Sequence, residues 1–133
     1  MSRDYYFVAW RAANRCEYCR APEVAFNFPF EVEHIIPLSR EGSQEDGNLA
    51  LSCRSCNVFK SDCLTGFDEM TQSEAQLFHP RLDRWDEHFQ VNLATGMIEG
   101  LTAAGRATAA CLRMNSTSQV RARLQWIRFG LFP

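Results

Sequence analysis

Two Cys-x-x-Cys pairs, Cys16 with Cys19 and Cys53 with Cys56, constrain the fold of this chain more than any other feature. Each pair places two thiols on one tight turn, and four thiolates are a ligand set that zinc favours at closed tetrahedral sites. Such a site is structural, because no coordination position is left open. Four independent thiols are the alternative interpretation, but the paired spacing favours a single structural Zn²⁺ bound by all four cysteines.

The segment between the two pairs is 33 residues long, whereas a simple zinc ribbon has roughly 15–20. The inserted residues include Glu33-His34-Ile35-Ile36-Pro37 and Asn48, and Asn57 and Lys60 follow the last cysteine closely. One zinc site therefore brackets a carboxylate, an imidazole and two amides. Phosphodiester hydrolysis needs an activated water, a cation and stabilisation of the leaving oxygen, so this combination indicates catalysis on a phosphodiester.

The candidate catalytic residues divide into a base and metal ligands. His34 is the expected general base, because its unperturbed pKa lies near neutrality. Glu33 and Asn57 are oxygen donors that suit a hard divalent ion such as Mg²⁺ or Mn²⁺. A surface carboxylate and a local helix cap are the plainer interpretations of these two residues. Asn48 is expected to orient this region, although Asn also commonly stabilises turns.

Length and composition limit the classes of protein to which this chain can belong. A chain of 133 residues with 46% hydrophobic residues fits a single domain, 1–133, with a modest core. The apolar runs are too short to span a membrane, and the N-terminus lacks the pattern of a secretory signal. We therefore expect a cytoplasmic protein with reduced cysteines, no membrane partner and no small organic cofactor.

The charge distribution is more informative than the net charge of −2. From Gly100 onward the chain has five Arg and no acidic residue, whereas the remainder has nine basic and sixteen acidic residues. A solvated helix face explains this pattern as readily as contact with DNA does. Arg106 and Arg113 are expected to share one helix face, as are Arg121 and Arg128. The candidate phosphate contacts are Arg54, Lys60, Arg106, Arg113 and Arg121.

Local patterns predict an α+β protein. Alternation of Phe26, Phe28, Phe30 and Val32 with less apolar residues predicts a strand that delivers Glu33 and His34 at its end. The other predicted elements are a helix over 2–13 capped by Ser2, a strand over 48–52, a helix over 54–61, a helix opened by a capping box at 71–74, a hairpin over 88–101, a helix over 102–115 and a helix over 118–130.

Several other residues are expected to be structural. Cys63 and Cys111 stand alone and are interpreted as small buried apolar residues. His79 and His88 are expected to be structural histidines. The three Trp are expected in the core: Trp10, Trp85 and Trp126.

The segment from Cys16 to Lys60 resembles the HNH endonucleases, a family built on a ββα-metal fold. The resemblance rests on Glu33 to Ser39, Gly42-Ser43, Asn48 to Leu51, and Cys53 to Asn57 with Lys60. A stretch over 80–89 is also similar to an extension found in small members. The family implies DNA cleavage with His34 as base, a Mg²⁺ or Mn²⁺ between Glu33 and Asn57, and an orienting role for Asn48.

Two positions depart from the common family pattern. Many members have Asp at the position of Glu33 and His at the position of Asn57. The departures favour Mg²⁺ or Mn²⁺ over softer metals, and they put direct binding of the ion by Asn57 in question.

The sequence therefore predicts an α+β protein with a ββα-metal core over 16–60, held by a four-cysteine zinc site, with flanking helices. The extension over 70–133 is expected to carry a hairpin and two helices. The predicted function is hydrolysis of double-stranded DNA to 5′-phosphate and 3′-hydroxyl ends. One alternative is a catalytically inactive, zinc-stabilised nucleic-acid-binding module, and another is a structural zinc domain that binds a protein.

Overall fold

The computed structural model describes residues 3–133, and within them the chain is α+β, as predicted. The helices are α1 (Arg3–Arg11), α2 (Arg54–Lys60), α3 (Trp85–His88), α4 (Ala103–Cys111) and α5 (Thr117–Arg128). The strands are β1 (Glu31–His34), β2 (Leu49–Ser52), β3 (Thr65–Asp68), β4 (Ser73–Gln76), β5 (Phe89–Val91) and β6 (Ile98–Gly100). They pair in chain order as three two-stranded antiparallel sheets, and the predicted cap Ser2 lies outside the described residues.

A ββα unit forms the centre of the fold. β1 and β2 pair in a register that places His34 opposite Leu49 and Glu31 opposite Ser52. α2 begins directly after β2, because the Cys53 sulfur accepts a hydrogen bond from the Cys56 amide and caps the helix. The strand end that carries His34 therefore lies against a helix that begins within the second Cys-x-x-Cys turn.

The predicted strand over Phe26 to Val32 is wrong in its first part. Residues 23–25 form a 3₁₀ turn, and β1 begins only at Glu31. The Glu23 carboxylate accepts a hydrogen bond from the Phe30 amide at 2.7 Å, which folds the intervening chain back on itself. Aromatic packing of Phe26 against Phe30 and Trp126 replaces ladder pairing. The alternating Phe residues therefore mark a local cluster of aromatic rings and not a strand.

The helix predicted to open at the capping box 71–74 and to end before Pro80 is also wrong, because this segment turns into β4 of a hairpin with β3. The Thr71 hydroxyl donates to the Asp68 carboxylate at 2.7 Å instead of capping a helix. Gln72 adopts a left-handed conformation with φ of 57°, which closes the turn. Tertiary packing of this hairpin against α4 overrides the local helix signal.

The C-terminal part follows the prediction closely. β5 and β6 form the expected hairpin, and Thr102 caps α4 by accepting a hydrogen bond from the Gly105 amide. Ser116 caps α5 two residues before the predicted start. The Asn115 side chain bonds both backbone groups of Ile98, at 2.8 Å each, and so joins the hairpin to the segment before α5.

The core is centred on the ββα unit and differs from the prediction at several residues. Trp85 is buried and Trp126 packs against the core, but Trp10 is 75% exposed on the outer face of α1. Cys63 and Cys111 are only half-buried and neighbour each other; burial and the Cys63 thiol raise the pKa of Cys111. Among residues 3–133 no helix has the length and apolarity needed to cross a membrane.

Candidate metal centre and active site

The four paired cysteines converge on one point. The Cys16, Cys19, Cys53 and Cys56 sulfurs all lie within 4.8 Å of one another and are buried. The Cys19 and Cys53 sulfurs are 3.8 Å apart, which matches the spacing of about 3.8 Å between thiolates that bind one zinc tetrahedrally at about 2.3 Å each. The cluster therefore fits a structural metal such as zinc, as the sequence predicts.

Glu17 brings the first cysteine pair to the second. Its amide donates to the Leu51 carbonyl at 2.8 Å, and its carboxylate accepts from the Leu51 amide at 2.8 Å. The same carboxylate pairs with Arg81. Both cysteine turns carry an amide-to-sulfur hydrogen bond, from Cys19 to Cys16 and from Cys56 to Cys53. We call these two turns the zinc knuckles.

A buried arginine lies close enough to the four cysteines for its charge to interact with theirs. Arg123 has no exposed surface, and its guanidinium donates to the Gly96 and Met114 carbonyls at 2.7 Å each. Its Nε–H has no hydrogen-bond partner among the described residues. Burial lowers the pKa of Arg123, while the charge of Cys19 and its neighbouring thiols raises it. Such a cation fits a site with excess negative charge.

Without a cation the four cysteines differ in pKa: burial acts to raise that of Cys16, but hydrogen bonds from the three neighbouring thiols lower it well below its usual value. Hydrogen bonds to the neighbouring sulfurs, together with burial, raise the pKa of Cys53 and Cys56. A bound divalent ion stabilises the thiolates and releases their protons, so zinc binding is expected to weaken as the pH falls.

Three of the four predicted catalytic residues, all except Asn48, line one shallow depression of about 320 Å³ beside the second zinc knuckle. Glu33 and His34 reach it from the end of β1, and Asn57 reaches it from α2. The structure thus brings together the carboxylate, imidazole and amide that the sequence singled out. His79 and His88 instead line a separate apolar cavity of about 420 Å³.

His34 is held by a residue that the sequence interpretation missed. Its Nε2 lies 2.8 Å from the Gln44 amide oxygen, which is an acceptor. Nε2 therefore carries the proton, and Nδ1 keeps the lone pair that a general base needs. The expected orienting Asn48 does not contact the ring.

Asn48 acts on the loop instead. Its amide oxygen accepts from the Ile36 amide at 2.8 Å, and its nitrogen donates to the Ile36 carbonyl at 2.9 Å and the Ser43 carbonyl at 2.8 Å. These bonds clamp both ends of the loop that carries Gln44. Asn48 thus supports His34 indirectly, through the loop.

Lys60 lies in the interior and does not fit the predicted phosphate contact. It is 2% exposed, and its ammonium donates to the Ile35 carbonyl at 2.8 Å. It also lies 3.4 Å from the His34 carbonyl and from the Glu33 carboxylate. Removal of one partner from such a buried pair typically costs about 3–5 kcal/mol. Lys60 therefore holds the backbone at the end of β1 from the interior of the protein.

Glu33 is nearly buried and is held from two sides. The Tyr18 hydroxyl donates to one carboxylate oxygen, and Lys60 approaches the other. Burial raises the pKa of Glu33, and the charge of Lys60 opposes that rise. Burial also raises the pKa of Tyr18 well above its usual value, so the hydroxyl keeps its proton. A carboxylate has about four lone-pair sites, so acceptor capacity remains for a cation.

Asn57 is oriented by a second strand carboxylate. Its side-chain nitrogen donates to Glu31, which also pairs with Arg54 at 3.1 Å. With the nitrogen committed to Glu31, the amide oxygen is left for a cation in the depression. Glu33 and Asn57 together therefore offer hard oxygen donors that fit Mg²⁺ or Mn²⁺.

The arginines predicted to contact DNA occupy different environments. Arg54 is exposed and pairs with Glu31, the carboxylate that also holds Asn57. Arg121 is exposed on α5, whereas Arg113 lies beyond the end of α4 with its guanidinium 4.3 Å from the centre of the Phe59 ring. Arg106 makes a bidentate pair with Asp68 at 2.8 and 3.1 Å. The expectation that Arg106 and Arg113 share a helix face is therefore wrong.

Replacement of Arg106 by Ala should destabilise the protein in a pH-dependent way. Hydrogen bonds from Arg106, the largest contribution, lower the pKa of Asp68. A lowered carboxyl pKa stabilises the fold above the unfolded value of about 3.9, and this contribution is lost as the pH falls below it. The difference in unfolding free energy between wild type and variant should be constant from about pH 8 to 5 and decrease below about pH 4.

Urea denaturation at several pH values measures this difference, with Arg113→Ala as the matched arginine control. A difference that titrates near neutrality, or no destabilisation at pH 7, contradicts the assignment of the Arg106–Asp68 pair.

Tyr18, Glu31 and Gln44 are the site residues that the sequence interpretation missed. Tyr18 had a positional signal, because it lies within the Cys16–Cys19 turn of the four-cysteine cluster. Glu31 lies two residues before Glu33 and so shares its strand face, which is a usable signal. Gln44 had no signal in the sequence, because only the folding of its loop brings it to His34.

Part of the chain matches a known protein family. Residues 16–62 match the family described as HNH endonuclease. The matched segment begins at the first cysteine and contains both knuckles, the depression and the loop clamped by Asn48. No curated protein and no solved structure shows a significant match to the chain.

Proposed function

We propose that this chain, whose residues 16–62 form an HNH domain, is a metal-dependent endonuclease that hydrolyses DNA phosphodiester bonds. The domain itself indicates a nuclease-type function with metal binding. The observation that carries the finer proposal is the convergence of Glu33, His34 and Asn57 on one open depression.

His34 is the proposed general base. Gln44 holds the proton on Nε2, so Nδ1 accepts a proton from the water that attacks the phosphorus. Lys60 fixes the backbone beside this group by bonding the Ile35 carbonyl, and Asn48 holds the loop. The His34 imidazole is therefore held by a hydrogen bond to its ring and by hydrogen bonds that fix the backbone around it.

Glu33 and Asn57 are the proposed ligands of a catalytic Mg²⁺ or Mn²⁺, and the zinc held by the four cysteines is structural. When bound, the catalytic ion supplies positive charge at the scissile phosphate and stabilises the leaving oxygen. We propose products with 5′-phosphate and 3′-hydroxyl ends, formed by in-line attack.

DNA is proposed to approach over the exposed side of the depression. Arg54 is exposed and pairs with Glu31, whose carboxylate also accepts a hydrogen bond from Asn57 of the depression. Arg121 and Arg128 are exposed on α5 and have no ion pair among the described contacts. Acidic residues of the loop, including Glu41 and Glu45, disfavour a polyanion on that side. We therefore place the phosphate backbone towards Arg54.

Incubation of the purified protein with supercoiled duplex DNA, single-stranded DNA and RNA, each with Mg²⁺, Mn²⁺ or EDTA, tests the substrate class. We expect metal-dependent cleavage of duplex DNA that is sealed by DNA ligase, and weaker cleavage for Arg54→Ala at raised salt. Tight DNA binding without cleavage under every metal condition would support the inactive binding module instead. No retention of DNA at low salt would support a protein-binding zinc domain.

A further inference from the structure

Tyr18 links the first zinc knuckle to the depression. It lies between Cys16 and Cys19, has no exposed surface, and its hydroxyl donates to a Glu33 oxygen. The Trp85 indole donates to the Tyr18 backbone carbonyl at 2.8 Å, which fixes the knuckle from the other side. Strand and knuckle are thus joined by one side-chain hydrogen bond inside the core.

The Tyr18 hydroxyl is the nearer of the two donors that hold the Glu33 carboxylate. The Lys60 ammonium lies 3.4 Å from the other oxygen and makes its shorter bond, 2.8 Å, to the Ile35 carbonyl. Lys60 therefore bonds mainly to the backbone, and the orientation of the Glu33 carboxylate depends on Tyr18. A carboxylate fixed in this way loses little conformational freedom when it binds a cation.

We propose that Tyr18 is a positioning residue for the catalytic divalent ion, acting through Glu33, so that the structural zinc site sets the affinity of the second metal site. This inference rests on the proposed function, because it needs Glu33 to bind the ion. Tyr18 touches neither substrate nor metal. Its contribution is to hold the ligand, and loss of such an outer partner typically weakens metal affinity by roughly 10–100-fold.

The test is the Mn²⁺ affinity of the Tyr18→Phe variant, measured by electron paramagnetic resonance titration without DNA. The substitution removes one hydroxyl and keeps the ring that fills the core. We expect Mn²⁺ affinity to fall by roughly tenfold while zinc content stays at one per chain by elemental analysis. Trp85→Phe is the matched control, because it removes the other hydrogen bond to Tyr18 and leaves the hydroxyl on Glu33.

Two outcomes separate this inference from the proposed function. If Glu33→Ala loses Mn²⁺ affinity and Tyr18→Phe keeps wild-type affinity, the positioning role is wrong and the metal site stands. If wild type and Glu33→Ala bind Mn²⁺ equally, the proposed metal site itself is wrong. An equal loss of affinity in Trp85→Phe would show that Tyr18 acts only through the packing of the knuckle, and would overturn the inference.

A variant that perturbs the hydroxyl without removing it covers the case in which Tyr18→Phe does not fold. Site-specific incorporation of 3-fluorotyrosine at position 18 changes the donor strength and leaves the size almost unchanged. We expect a measurable shift in Mn²⁺ affinity with zinc content unaltered. Affinity identical to that of the wild type would contradict the positioning role.

Discussion

Replacement of His34 by Ala is expected to abolish most DNA cleavage and to leave the fold intact. The imidazole is half-buried at the end of β1, and its Gln44 contact is exposed, so its loss creates no buried unpaired group. Loss of a general base typically costs about 10²–10⁴-fold in rate. The cleavage rate at saturating Mn²⁺, together with the thermal transition and zinc content, measures this effect.

His88→Gln is the matched histidine control. His88 contacts Thr102 at 2.6 Å and the Phe78 ring, and it lies outside the depression. This variant should cleave DNA at close to the wild-type rate below its unfolding temperature. A His34→Ala variant that cleaves as fast as wild type would remove His34 from the mechanism.

Loss of one zinc ligand is expected to have the largest effect on stability. Cys53 is both a ligand and the cap of α2, and the cluster joins knuckles that are more than thirty residues apart. Structural zinc contributes an apparent free energy of roughly 10–16 kcal/mol in small zinc peptides, which is comparable to the whole stability of a domain. Cys53→Ser should therefore purify without zinc and show no cooperative thermal transition.

Cys63→Ser is the control for this substitution, since Cys63 is half-buried and outside the cluster. It should retain one zinc per chain and a cooperative transition. Treatment of the wild type with a strong chelator should reproduce the Cys53→Ser result. A Cys53→Ser variant with an unchanged transition, or wild type that contains no zinc, would contradict a structural role for the metal.

The sequence predicted the parts of the structure that depend on short-range patterns. The paired cysteines, the β1–β2–α2 order and the C-terminal hairpin each have a signal within a few residues, such as the Thr102 cap of α4. The convergence of Glu33, His34 and Asn57 followed from the resemblance, because chain spacing alone does not place α2 beside β1. The three side chains lie around one depression, and their catalytic roles stay predictions.

The predictions that failed depend on long-range contacts. Thr71 has a helix-capping sequence, yet Asp68 takes its hydroxyl and the hairpin packs against α4. Lys60 was a candidate phosphate contact, but its ammonium is buried and three acceptors at the end of β1 satisfy it. Trp10 was expected in the core because tryptophan is large and apolar, but α1 presents it to solvent.

We propose that the depression holds a divalent ion that DNA hydrolysis requires. The most direct measurement is the rate at which supercoiled plasmid is nicked as a function of Mg²⁺ or Mn²⁺ concentration, for the wild type and for Glu33→Ala. We predict no nicking in EDTA, saturable activation of the wild type, and a rightward shift of the metal dependence for Glu33→Ala. Metal-independent nicking, or identical metal dependence in the two proteins, would contradict the claim.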